Sequence, residues 1–244
     1  MDDVALLTFT PAMALLTARE FMEQVLKEQL GVEVLVIGYD HRFGRGRSEG
    51  FDDYVRYGEE LGIEVVRGEA CMDGCEAVSS TRIRRCIKEG RIAEANSLLG
   101  YCYLLEGKVV DGYKVGRKIG FPTANIRVSD EHKLLPADGV YAVRVNVVNN
   151  DDANENDNYR RDGNNCQLGM GMLNIGHRPT VNNGEERSIE VHILDFEGDL
   201  YGQVLQIEFM ERLRDEQTFD SLDALMAQLH DDEQRVRKLK QANS

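Results

Sequence analysis

The chain lacks any N-terminal apolar stretch fit for a membrane span or a secretory core. Residues 4–9 and 13–16 are apolar, but both are short and broken, and the chain opens on the acidic Met1-Asp2-Asp3 where a signal would be basic. Positive charge is scarce: 29 Lys and Arg stand against 43 Asp and Glu, a net charge of −14. A nucleic-acid partner wants a basic face, so that balance argues against one. It leaves room for small phosphorylated ligands, which need only a local nest of N–H groups, a few cations and a metal ion. Paired cysteines are also missing. Five cysteines is an odd number, and Cys71 and Cys75 have no second pair to complete a zinc spacing or a disulfide framework. Reduced thiols and a cytoplasmic location are expected.

What is present describes an ordinary globular chain. At 244 residues, with 42% hydrophobic and 30% charged residues, it can build one large or two small cores. Residues 1–100 alternate strand and helix patterns. Strands are expected at 4–9, 32–37 and 63–66, the second buried on both faces because it is rich in β-branched residues. Helices are expected from the capping box Thr17-Ala18-Arg19-Glu20, around 54–61, after Ser79-Ser80, and over 92–99. This alternation implies a parallel α/β sheet. From Tyr101 the texture changes to strands at 104–110, 140–148, 167–175, 188–196 and 204–209, without helices between them. That is the pattern of an antiparallel barrel or sandwich. A last helix starts at Asp220 or Ser221 and carries Leu222, Leu225, Met226 and Leu229 as one stripe. The domain boundary is placed at Gly100, giving 1–100 and 101–244. Residues 149–165, rich in Asn and Asp, read as a flexible hairpin insertion.

The most specific string is G-R-K-I-G-F-P-T-A-N, residues 116–125. Gly120 loosens the backbone, and Pro122 fixes φ and removes a donor, so a rigid loop is expected. Its N–H groups, the Thr123 hydroxyl, the Asn125 amide and the nearby cations suit a phosphate and its metal. Composition alone favours an ordinary glycine-proline turn. On residues 189–193, alternation puts Ile189, Val191 and Ile193 on a core face, with Glu190 and His192 on the other. Taken alone, Glu190 reads as a solvated strand position.

The string resembles the signature of riboflavin kinase. The likeness continues through L-P-A-D-G-V-Y-A (135–142), G-M-L-N-I-G-H-R-P-T (171–180), I-E-V-H-I-L-D-F (189–196) and R-L-R-D-E-Q-T-F (212–219). Order and spacing are similar to the bacterial bifunctional riboflavin kinase/FMN adenylyltransferase family over nearly the whole chain. The resemblance implies a truncated Rossmann-like nucleotidyltransferase domain, then a Greek-key β-barrel with a C-terminal helix. It implies ATP and riboflavin or FMN as substrates and products, and Mg²⁺. It makes Glu190 the catalytic base, and Thr123 and Asn125 the metal and phosphate ligands. Gly116 and Gly120 would let the backbone approach the phosphates, with Lys114, Arg117 and Lys118 as charge partners. Arg214 and Phe219 fall where the family's flavin-side loop and helix begin, although a surface arginine and a packing phenylalanine are equally good readings.

In the first domain, G-Y-D-H-R-F-G (38–44) resembles the family's flavin-contacting turn, with Asp40 and Phe43 as its candidates. S-S-T-R-I-R (79–84) resembles its phosphate-binding helix start, with Ser80, Thr81 and Arg84. The family's H-x-G-H segment occurs nowhere, and Met1 falls after the family's first strand and its helix. Two expectations follow: a fragment of a bifunctional enzyme, or a natural kinase that has lost adenylyl transfer. Both imply FMN formation and impaired FAD synthesis, and an open half-sheet would leave residues 1–100 either unstable or paired with another chain. The alternatives are a full bifunctional enzyme and a flavin-binding module without turnover. Oligomeric state is not legible.

Overall fold

The computed structural model describes residues 4–112, 116–148, 165–177 and 187–242. Lys114, residues 149–164 of the insertion, and Arg178, Pro179 and Thr180 of the motif lie outside the described residues. The chain divides into two compact units, Met1–Val78 and Ser79–Ser244.

In the first unit, α1 (Pro11–Leu15) is followed by α2 (Ala18–Phe21), which continues through wide π-type turns over Met22–Gln29. The capping box at Thr17 forms as expected: Thr17 Oγ1 accepts the Glu20 N–H, and the Glu20 carboxylate accepts the Thr17 N–H. Strands β1 (Val34–Ile37) and β2 (Glu64–Arg67) pair in parallel, with α3 (Phe51–Leu61) between them. A short hairpin, β3 (Met72–Asp73) and β4 (Glu76–Ala77), had no clear pattern in the sequence. Two expectations change here. Residues 4–9 form no strand among the described residues, and Leu6 and Phe9 are 86% and 78% exposed. The β1 run is buried on one side only: Ile37 is in the core while Val34 and Val36 are exposed, because a two-stranded sheet covers a single face.

The second unit begins with α4 (Ser80–Lys88) and α5 (Ile92–Leu99), which ends at Gly100 in the left-handed conformation. The Asn96 side chain ties α5 to the barrel. Its amide donates to the Phe209 carbonyl at 2.8 Å, and its oxygen accepts the Tyr103 N–H at 2.8 Å. The compact units therefore divide ahead of Gly100, with both helices packed on the barrel side.

Six strands close the barrel: β5 (Tyr103–Val110), β6 (Ala124–Val128), β7 (Gly139–Val148), β8 (Asn165–His177), β9 (Arg187–Ile193) and β10 (Val204–Arg214). Their order around the barrel is β10-β5-β6-β9-β8-β7, and every pairing is antiparallel. Strands β7, β8 and β9 run as neighbours, while β6 lies beside β9 instead of β7, which is the Greek-key excursion. Closure removes the exposed strand edges that an open sheet would leave. Alternate residues fill the interior, among them Leu105, Val143, Leu173, Val191, Ile207 and Phe209, with Phe209 edge-on to Tyr141 at 5.3 Å. Helix α6 (Leu222–Ala242) belongs to a second cluster with Phe121, Val140, Met172 and Val236. Ser221 supplies its N-terminal hydrogen bond, accepting from the Ala224 N–H.

Candidate active site

The site is built where β6 meets β9. In register, Asn125 faces Glu190 and Ala124 faces Val191. On β9, Ile189, Val191 and Ile193 are buried inward, so Glu190 and His192 take the outer face, as alternation requires. Asn174 of β8 lies opposite Glu190 on its other side. The result is a polar row, Asn125–Glu190–Asn174, across three neighbouring strands. Asn174 was not singled out from the sequence; the signal was its place in the G-M-L-N-I-G-H string, with the parity of an outward position on β8.

The loop before β6 delivers the next group. Gly116–Ile119 forms a short 3-10 turn, and the Phe121 N–H donates to the Gly116 carbonyl at 3.0 Å. Two glycines are needed here for different reasons. Gly120 has φ +84°, where any side chain is strained. At Gly116 an added Cβ would sit 2.1 Å from the Phe121 carbonyl oxygen. The loop then presents Thr123, whose hydroxyl donates to Glu190 Oε2 at 3.1 Å. A hydroxyl and a carboxylate thus meet although Thr123 and Glu190 are 67 residues apart in sequence, with Asn125 across the ladder from Glu190. Next to them is a small cleft of about 70 Å³ bounded by Val109, Thr123, Val191, Phe196, Asp199 and Tyr201. Arg117 and Lys118 belong to the 3-10 turn; their side chains lie outside the described residues.

The other candidates lie in separate places. Arg214, at the end of β10, donates Nε–H to Asp232 Oδ2 at 2.9 Å, and its guanidinium stands 5.7 Å from the Phe219 ring centroid. Asp232 is fully buried and also accepts from the Gln228 amide at 3.0 Å. The sequence pointed to Arg214 and Phe219 but gave no sign of Asp232, which sits among the charged residues of α6. Further along α6, the Arg237 guanidinium forks onto Asp195 and holds that carboxyl below its usual range.

In the first unit, Phe43 stacks on Tyr54 at 4.4 Å and 14°, packed against that unit's core, while Asp40 is exposed in the turn after β1. Ser80, Thr81 and Arg84 are exposed in the first turns of α4, whose N-cap is Ser79. Asp40 and Phe43 fall in one compact unit and Ser80, Thr81 and Arg84 in the other.

Fold and cluster together define a Greek-key barrel protein with a polar site at a glycine-bounded loop, preceded by a small α/β unit. The riboflavin kinase family profile matches residues 99–240, and the FAD synthetase profile matches residues 1–82. The bifunctional riboflavin kinase/FMN adenylyltransferase of Escherichia coli K12 is 36% identical over 244 residues, covering 98% of this chain and 70% of that protein. Its counterpart in Listeria monocytogenes is 36% identical over 237 residues, covering 97% and 69%. A crystal structure described as a macrolide-efflux protein from Streptococcus pneumoniae superposes with a TM-score of 0.78 at 34% identity, over 94% of this chain and 67% of that one. Among the described residues, no helix is long and apolar enough to cross a membrane. The chain belongs to the bifunctional riboflavin kinase/FMN adenylyltransferase family, and it spans about 70% of the length of the E. coli relative.

Proposed function

We propose that the chain transfers the γ-phosphoryl group of ATP to the 5′-hydroxyl of riboflavin, giving FMN and ADP. The observation that carries this reading is the meeting of Thr123, Asn125 and Glu190 beside the glycine-bounded loop. Phosphoryl transfer needs positioning and charge stabilisation more than covalent chemistry from the protein. Glu190 accepts the hydroxyl proton as the riboflavin oxygen attacks the γ-phosphorus. The bond from that phosphorus to the bridging oxygen breaks, and ADP leaves. Thr123 and Asn125 hold the phosphates, and Gly116 and Gly120 let backbone N–H groups approach them. Arg117 and Lys118 add positive charge. Arg214 and Phe219 take the flavin side.

The donor set also fits Mg²⁺. The Thr123 hydroxyl and the Asn125 amide oxygen are hard oxygen donors, and this ion is held by few protein ligands when phosphates supply the rest. Bound with ATP, the ion would neutralise charge on the phosphates. We place the enzyme in the cytoplasm, acting on small molecules without a membrane partner, and without a nucleic-acid partner in view of its net charge of −14. We keep 1–100 and 101–244 as the functional division.

A second reading adds adenylyl transfer from ATP to FMN. It is favoured by the FAD synthetase match over residues 1–82. Asp40 and Phe43 would then meet flavin, and Ser80, Thr81 and Arg84 would meet phosphate. Chromatographic product analysis with riboflavin, ATP and Mg²⁺ tests both. FMN is the required product, FAD beside it would assign the second activity, and neither product would overturn the kinase reading.

A further inference from the structure

We propose that His192 is a positioning residue, whose Nδ1–H holds the Pro122 carbonyl and so aims the Thr123 hydroxyl at Glu190. The inference rests on the kinase reading above and extends it to a residue that does not touch the reacting atoms.

Glu190 and His192 lie two positions apart on β9, so they share its outer face. They take hold of consecutive loop residues: His192 Nδ1 is 2.8 Å from the Pro122 carbonyl oxygen, and Glu190 Oε2 is 3.1 Å from Thr123 Oγ1. A carbonyl oxygen only accepts, so the imidazole must carry its proton on Nδ1. Pro122 has no N–H of its own, which leaves this carbonyl as its one polar handle. The preceding residue is fixed as well. Phe121 is 6% exposed, and its ring stands edge-on to His192 at 5.2 Å and to His230 of α6 at 5.1 Å. Residues 121–123 are thereby pinned one after another, immediately before Asn125 enters the ladder opposite Glu190. A hydroxyl on a loop tied at a single point would sample other rotamers. With its neighbour's carbonyl held, Thr123 is set in advance for the phosphate end of the substrate.

Three variants separate donor, ring and geometry. His192→Asn places an amide N–H near the position of Nδ1, His192→Gln moves that amide one carbon outward, and His192→Phe keeps a ring against Phe121 without a donor. Relative to wild type, we expect kcat for FMN formation to stay within about threefold in H192N and to fall about tenfold in H192F, the scale of one lost hydrogen bond. KM for riboflavin should not move, because the clamp acts on the phosphate side, and H192Q should resemble H192F. A second readout does not depend on turnover. In ¹⁵N-histidine spectra the wild-type chain should show an Nδ1–H imidazole that disappears in H192N. Wild-type kcat in H192F, equal losses in H192N and H192F, or an Nε2–H tautomer for His192 would each overturn the proposal. Failure of the wild-type chain to make FMN would instead overturn the kinase reading, while the tautomer would still decide whether the clamp exists.

Discussion

Replacing Gly112 by alanine should disable the site while leaving the fold intact. A Cβ added there would lie 1.9 Å from Asn125 Nδ2 and 2.4 Å from its Cγ. Ordinary contact begins at 3.4 Å, so the amide must give way by 3.4 − 1.9 = 1.5 Å. Asn125 is only 9% exposed and lies across the ladder from Glu190, so that movement takes it out of the polar row. Misplacement of about 1 Å in a positioned group costs on the order of a hundredfold in rate, which sets the expected fall in kcat. Stability should change little. Gly112 is not among the glycines with positive φ, so alanine is not strained there. The lower entropy of the unfolded chain contributes about 0.4–1 kcal/mol in favour of alanine, offsetting part of the side-chain shift. Steady-state FMN formation beside a thermal melt measures both quantities. Gly50→Ala, with nothing within 4 Å of its added Cβ, serves as the control. A G112A variant with kcat within twofold of wild type would refute the role given to Asn125.

Two further outcomes follow from buried polar groups. Asp232→Ala should destabilise the protein by about 3 kcal/mol, because it leaves the guanidinium of Arg214, a side chain only 12% exposed, without its carboxylate. Calorimetric melting checks this, and a shift of less than a degree would contradict it. Burial raises the Tyr103 hydroxyl to about 12 while it donates to the Leu134 carbonyl, and burial raises Tyr141 as well. The unfolded chain loses those protons near the ordinary tyrosine value of about 10, so their contribution to stability is complete below that pH and declines as pH rises towards 12. Absorbance titration at alkaline pH should show tyrosines that ionise late, with one fewer in Tyr103→Phe. Simultaneous ionisation of every tyrosine in the folded protein would contradict it.

How much was legible in the sequence can be judged element by element. The alternation of 189–193 placed Glu190 and His192 outward, and the structure agrees, because a strand in a closed barrel has one inside. The capping box at Thr17 and the stop at Gly100 are local signals and were readable as such. Strand β6 was not, since glycine and proline in the preceding residues suggested a loop through Asn125. Its pairing with β5 and β9 is a long-range effect that overrides weak local propensity. The same limit hid the Thr123–Glu190 contact, the Asn174 position and the Arg214–Asp232 pair, each made between residues on different elements. In β1, the β-branched run indicated a strand but not how many of its faces would be covered. Apolar character at residues 4–9 likewise carried no information about a pairing partner.

The central claim is that Glu190 serves phosphoryl transfer at this loop. Its most direct test is the initial rate of FMN formation by Glu190→Gln beside wild type, with riboflavin and ATP binding measured on both proteins. The account expects both ligands to bind the variant with wild-type affinity, and the rate to fall at least about a hundredfold, within the range of a lost general base. A variant that binds both substrates and still makes FMN at the wild-type rate would contradict it.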